Sequence, residues 1–197
     1  LESDYVSIFG VKKFAAGNIY TGDFAKVTTS PMGADLNWGI KFSARPVALK
    51  GHYKYTPQNI NYTDGAHSGL KGQKDRCQIQ VALTSPLSGS GTYYYYVSSG
   101  NNEFVDFSSS NSTIIAHNVI ETSENITSYR SFTLPFGYRN INTRPTYIII
   151  TCCSSYLGDY FTGGDGSTMW VDEFELIYDP SDPAMSDQQR RDLFNKF

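Results

Sequence analysis

Residues 144–178, RPTYIIITCCSSYLGDYFTGGDGSTMWVDEFELIY, decide the fold of this chain. The first part, 146–153, is a continuous β-branched and apolar run, which is typical of a strand buried on both faces. The middle, 154–167, is rich in glycine and serine and predicts a loop through which no regular element continues. The last part, 169–178, alternates in polarity. The stretch therefore predicts a strand, a glycine-rich loop and a second strand.

The alternation in 169–178 divides the second strand into two faces. The more apolar face is expected to point into the core, and it carries Asp172 inward with it. A buried carboxylate is costly without partners, so Asp172 should meet backbone N–H groups, an Arg or Lys, or a bound cation. The inward face holds Trp170, Asp172, Phe174, Leu176 and Tyr178, and the outward face holds Val171, Glu173, Glu175 and Ile177.

Short alternating runs recur along the rest of the chain. In 47–55 the odd-numbered residues are predicted to face the core, as Cys77, Ile79, Val81 and Leu83 do in 77–84. Because there is no βαβ rhythm and no long helical stripe, the sequence predicts an all-β, two-sheet antiparallel sandwich. Long polar loops fit jelly-roll connections. Further strands are expected at 5–9, 25–29, 40–43, 92–97, 113–120 and 129–136, with Trp38 in a loop before 40–43.

The domain is expected to cover residues 1–180, followed by a tail at 181–197. The sequence DPSDP ends the sheet, and Ser186 is placed to cap a short helix over 187–195. Whether that helix docks on the sandwich or frays is left open by the sequence.

Bulk composition is that of a single large β-domain. The 197 residues include 15 Tyr, 12 Phe and 2 Trp, which suit sheets and polar aromatic surfaces. The net charge of −3 gives no electrostatic reason to expect nucleic acid or an anionic membrane as partner. No apolar run approaches the roughly 20 residues that cross a bilayer.

The cysteines are predicted to be buried free thiols. Cys152 and Cys153 are adjacent in a strand and point to opposite faces, so they are poorly placed to bond each other. A bridge from Cys77 to one of them is the alternative.

Few residues are spaced for catalysis. His52, His67 and His117 are far apart, and no HExxH, CxxC or GxSxG pattern occurs. Glu173 and Glu175 share a strand face about 6 to 7 Å apart, a spacing that would serve a two-carboxylate glycosidase in a cleft. Outward glutamates on a strand are more often simply solvated.

Carbohydrate binding has better candidates. Sugar rings stack their CH faces on aromatic rings, while their hydroxyls need partners such as Asp, Asn or Arg. The 154–167 loop presents Tyr156, Asp159 and Tyr160 together, and its glycines allow close backbone approach. Trp38 would complete a platform if its loop lies at the same end of the sandwich. In the alternative interpretation, Tyr156 and Tyr160 pack inward and only hold the loop.

Three segments carry a family resemblance: SSxxGDxxxGxxGSxxxVDEFELxY in 154–178, AGNIYTGDF in 16–24 and GIKFSARPVALKGHYKY in 39–55. Together they resemble the putative carbohydrate metabolism domain of secreted and cell-surface proteins of gut Bacteroidetes, over about residues 1–180. The resemblance implies a jelly-roll sandwich similar to carbohydrate-binding modules, in an exported, periplasmic or outer-membrane-anchored protein. It implies no established catalytic residues.

The resemblance also raises the question of calcium. Similar modules often tie the last strand to the N-terminal segment with Ca²⁺, and the Asp of their closing strand matches Asp172 here. Such an ion would need further oxygens, for example from Glu2 or Asp4. The alternative is an Asp172 held by hydrogen bonds alone.

The leading functional hypothesis is a non-catalytic glycan-binding module of an exported or cell-surface bacterial protein. The alternatives are a glycoside hydrolase and a structural or adhesin-type interaction domain. Fold alone cannot choose among them, since sandwiches host all three. An acid pair facing across a groove would favour the hydrolase, and a flat surface without an aromatic platform would favour the structural domain.

Overall fold

A computed structural model describes residues 1–8, 10–85 and 95–194. In these residues every strand pairing is antiparallel, and a single α-helix follows the last strand. The elements are β1 (Asp4–Ile8), β2 (Val11–Ala15), β3 (Asn18–Tyr20), β4 (Gly22–Thr29), β5 (Met32–Trp38), β6 (Ile40–Lys41), β7 (Ala48–Thr56), β8 (Cys77–Thr84), β9 (Tyr95–Ser98), β10 (Ile114–Thr122), β11 (Ile126–Pro135), β12 (Tyr147–Cys153), β13 (Thr168–Ile177) and α1 (Asp187–Phe194).

Two sheets form the main sandwich. One has the order β11-β7-β13 and the other β10-β8-β12, with β3 and β6 both pairing with β12. The chain passes repeatedly from one sheet to the other between β7 and β13, in the manner of a jelly roll. The predicted all-β sandwich is confirmed. Its core takes side chains from both sheets, among them Leu49, Tyr55, Ile79, Val81, Phe136 and Ile148.

A third, smaller sheet covers the outer face of the second one. Its order is β4-β5-β9, and Trp38 and Val97 pack against Ala82 and Ile149. The central strand β12 therefore lies between two apolar layers, which is why 146–153 lacks alternation. The predicted burial on both faces is confirmed.

Trp38 is not in a loop, as the sequence suggested, but is the last residue of β5. Gly33, Asp35 and Asn37 give β5 a weak strand signal. The strand forms because it pairs with β4 on one side and β9 on the other. The predicted 92–97 strand is described only from Tyr95 onward.

The predicted burial of Asp172 is wrong. Along β7, Asp172 pairs with His52 and Glu175 with Lys50, so β13 carries a bulge between them. Glu173 has a φ of 54° there. A bulge disturbs the alternation of side chains between the two faces of a strand. The residues of β13 that face the core therefore occupy different alternate positions before and after the bulge.

The residues on each side of this bulge show the change. Met169 and Val171 pack on the core before it and Leu176 after it. Trp170 and Phe174 are 39% and 37% exposed, so they lie outside the core although they are large and apolar.

The tail helix α1 forms and docks. Ser186 Oγ accepts from the Gln189 N–H at 3.2 Å, and the Ser186 N–H donates to Gln189 Oε1 at 2.8 Å, so the predicted cap is a reciprocal capping box. Met185 is buried against Ala48 and Ile177. No helix in the described part of the chain is long and apolar enough to span a membrane.

Cys77, Cys152 and Cys153 are free in the structure. Burial raises the pKa of Cys77 and of Cys152 to about 12, so both thiols stay protonated near neutral pH.

Candidate functional site

A fully buried carboxylate, Asp75, organises the 154–167 loop. Its Oδ2 accepts from Ser155 Oγ at 2.5 Å, from Ser167 Oγ at 2.9 Å and from the Gly164 N–H at 2.8 Å. Its Oδ1 accepts from the Arg76 N–H at 2.8 Å. Burial raises the pKa of Asp75, and these hydrogen bonds oppose the rise. One side chain thus ties the start, middle and end of the loop together.

The N-terminal segment and the 56–74 segment support the same loop. Ser3 Oγ lies 2.8 Å from Ser154 Oγ and 2.7 Å from Ser155 Oγ. Tyr62 and Gly163 form a backbone bridge, and a Cβ at Gly163 would lie 2.4 Å from the Phe14 ring. The 56–74 segment, which lacked periodicity in the sequence, is therefore part of the packing around the loop.

Three of the four predicted ligand-binding residues line one cavity. The lining includes Trp38 from β5 and Tyr156 and Asp159 from the loop. Tyr20 from β3 also lines the cavity, and the three aromatic residues form its aromatic wall. The cavity holds about 40 Å³. The two segments do share one end of the sandwich, as the platform hypothesis required.

Tyr160 is placed differently. Its ring lies 4.9 Å from that of His67 and 4.7 Å from that of Phe104, between centroids. It is absent from the described lining of the cavity. These contacts favour the alternative interpretation for Tyr160, namely that it holds the loop by packing.

Two polar groups of the cavity lining lack protein partners. Asp159 is half-buried in a single 3₁₀ turn, Gly158–Tyr160, and its carboxylate has no hydrogen bond within the described residues. Burial raises its pKa to about 6. Trp38 is 9% exposed, and its buried Nε1–H finds no acceptor in the same part of the chain. Both groups are free to pair with a bound ligand or with water.

A second cavity of about 150 Å³ adjoins the first. Gly158 and Asp159 line both cavities, so the Asp159 turn lies between them. Together the two cavities are called the Asp159 cleft below. Ala16, Asn18 and Leu36 are the other residues shared by both linings.

The Glu173 and Glu175 pair lies elsewhere, in a groove of about 430 Å³ on the β7–β13 face. Glu175 Oε2 is 3.1 Å from Lys50 Nζ. Glu173 Oε2 is 3.2 Å from His52 Nδ1, in a geometry that makes no hydrogen bond. The two glutamate side chains are 63% and 73% exposed. This arrangement is that of a solvated, charge-paired surface.

The residues around Asp172 do not fit the calcium site implied by the family resemblance. Asp172 is exposed, and its Oδ1 accepts from the Glu173 N–H at 2.8 Å. In the described ranges, no group of three or more His, Cys, Asp or Glu side chains is arranged to hold a metal. Backbone contacts tie the N-terminus to β13 instead: Glu2 bridges Thr168, and the Leu1 ammonium donates to the Met169 carbonyl.

Fold and site define an all-β sandwich domain with a cleft at one end, lined by aromatic rings and a carboxylate. The model of one family, the putative carbohydrate metabolism domain, matches residues 1–177, and the chain belongs to this family. A comparison with curated proteins found no match.

Two solved structures are similar to this chain. One is a putative glycoside hydrolase from Bacteroides thetaiotaomicron, with 26% identity and a TM-score of 0.62, over 84% of this chain and 48% of that one. The other is a putative glycoside hydrolase from Bacteroides vulgatus, with 21% identity and a TM-score of 0.58, over 84% and 65%. The second likeness shows the fold alone. The chain spans about half the length of the first and two thirds of the second.

Proposed function

We propose that this domain is a glycan-binding module and that the Asp159 cleft is its binding site. One observation carries the proposal: one cavity is lined both by Trp38, whose Nε1–H has no described acceptor, and by Asp159, whose carboxylate has no described hydrogen bond. The Tyr156 ring lies beside them.

We propose that one sugar hydroxyl pairs with both of these groups. It donates one hydrogen bond and accepts others, so it can donate to Asp159 and accept from Trp38. The cavity of about 40 Å³ exceeds the roughly 10 to 15 Å³ that one water needs, but it is too small for a whole sugar ring. A hydroxyl or hydroxymethyl arm enters, and the sugar ring stays outside against the aromatic wall.

The cleft supports binding better than hydrolysis. Glycosidases use two carboxylates, one on each side of the scissile bond. Among the described residues that line the two cavities, Asp159 is the only acid. The two similar structures are named as putative glycoside hydrolases. Hydrolysis would require a second carboxylate, and the described lining of the Asp159 cleft has none besides Asp159.

The proposal includes a cellular location. We propose that the domain acts in an exported or cell-surface protein that takes part in carbohydrate utilisation. Fractionation of the producing cells, with detection of this chain, tests the location separately from binding.

Trp38→Phe and Asp159→Asn are each expected to weaken glycan binding at least about tenfold. Trp38→Phe removes the indole donor, and Asp159→Asn replaces a charge-assisted hydrogen bond by a weaker neutral one. The measurement is titration calorimetry with the sugars selected from a glycan array. Wild-type affinity should also fall as the pH drops below about 6, since protonation of Asp159 removes its charge, and this pH dependence should be absent in Asp159→Asn.

Asp165→Asn is the matched control. Asp165 lies on the same loop but is not part of either described lining, so this variant should bind as the wild type does. Unchanged affinity in Asp159→Asn and Trp38→Phe would contradict the proposed site. Release of reducing sugar by the wild type would favour the hydrolase hypothesis instead.

A further inference from the structure

We propose that the Asp159 cleft is specific for a glycan that carries an aryl substituent, which occupies the second cavity while a sugar hydroxyl occupies the first. This inference rests on the proposed function and narrows its ligand class. It starts from the difference in size and polarity between the two cavities.

The second cavity has the volume of an aromatic ring. It holds about 150 Å³, and an apolar cavity of about that size in another protein binds benzene. Its walls come from β1, β2, β3, β4, β5, β9 and the loop, and it is open on the side of Val6 and Val27, which are 39% and 47% exposed. Apolar side chains dominate them: Phe14, Val27, Met32, Leu36, Val97 and Phe161.

Most polar groups of this lining are already engaged. Ser99 Oγ accepts from the Ala34 N–H at 2.9 Å. Lys13 Nζ lies over the Phe161 ring, 3.8 Å from its centroid. A sugar placed in this cavity would bury several hydroxyls with few partners, at a cost in free energy. An apolar group has no such requirement.

The placement of Asp159 links the two cavities into one site. Gly158 and Asp159 line both cavities. A ligand whose hydroxyl reaches Asp159 from the first cavity therefore has the adjacent substituent next to the second cavity. Burial of an aryl ring there is expected to raise affinity roughly tenfold to a hundredfold over the unsubstituted sugar.

The experiment compares methyl and phenyl β-glycosides of glucose, galactose, xylose and N-acetylglucosamine, titrated into the 197-residue chain by calorimetry. Phenyl glycosides should bind at least about tenfold more tightly than the matching methyl glycosides. Ala34→Leu and Ala15→Leu enlarge two half-buried residues that line only the second cavity and lie on different strands. Each should bring the ratio of phenyl-glycoside to methyl-glycoside affinity close to one.

Val11→Phe is the control, since Val11 is 50% exposed and is not part of the described lining. Equal affinity for methyl and phenyl glycosides would overturn this inference and leave the proposed function intact. A phenyl preference that persists in both filled variants would place the aryl group elsewhere and also overturn it. If neither glycoside series binds, this inference fails, and the glycan array decides the proposed function separately.

Discussion

Asp75→Ala is expected to lower the free energy of unfolding by about 3 to 5 kcal/mol, because it leaves several buried donors without an acceptor. The donors are the hydroxyls of Ser155 and Ser167 and the backbone N–H groups of Arg76 and Gly164. Chemical denaturation measures the loss. The 154–167 loop should also become sensitive to limited proteolysis.

Asp172→Ala is the matched control. Asp172 is exposed and accepts a single hydrogen bond, from the neighbouring Glu173 N–H, so its removal should cost less than about 1 kcal/mol. Comparable losses in the two variants would contradict the assignment of Asp75 as the carboxylate that organises the loop.

Gly22→Ala is expected to cost about 3 kcal/mol or more and to disrupt the wall that carries Trp38. Gly22 has a φ of +144°, and a Cβ there would lie 1.9 Å from the Asn37 carbonyl oxygen. Because Gly22 pairs with Trp38 at the β4–β5 junction, strain at this position separates the two strands where they border the cleft. Thermal melting and the near-ultraviolet circular dichroism of tryptophan measure both effects.

Gly65→Ala serves as its control. A Cβ at Gly65 would meet no atom within 4 Å, so this substitution should change stability by less than about 0.5 kcal/mol. A Gly22→Ala protein that melts like the Gly65→Ala protein would show that the β4–β5 junction tolerates a side chain.

Periodicity predicted the main sandwich well where each strand has a single core face. In β7, Leu49, Tyr53 and Tyr55 are buried as expected, because the extra residues at the register shifts lie on β11 and β13 and β7 itself alternates without interruption. The sequence did not predict the third sheet. Its central strand contains glycine, aspartate and asparagine, and only pairing with two neighbours makes it a strand.

Asp172 and Asp75 show why the sequence assigned burial to the wrong carboxylate. Asp172 alternates with large apolar residues, but the bulge after it disturbs that alternation. Asp75 stands in a polar segment, and three of its four donors lie 80 to 92 residues away along the chain. Sequence spacing carries no signal for such contacts.

The candidate site was predicted in part. Composition and the glycine-rich loop identified Tyr156 and Asp159, and Trp38 joins them because β5 ends beside the loop. Tyr160 lies one residue from Asp159 but packs between His67 and Phe104, since the 3₁₀ turn sends the two side chains in different directions. The second cavity had no sequence signal, because its walls come from six strands and the loop.

The indole N–H resonances test the central claim most directly. The chain has 2 Trp residues, so a ¹⁵N–¹H correlation spectrum should contain two indole signals, assigned with Trp38→Phe and Trp170→Phe. Trp38 Nε1–H lacks a described partner in the cleft, and Trp170 is 39% exposed on β13. The account predicts that a bound glycan shifts the Trp38 signal and leaves the Trp170 signal in place. A glycan that binds without moving the Trp38 signal, or that moves only the Trp170 signal, would contradict it.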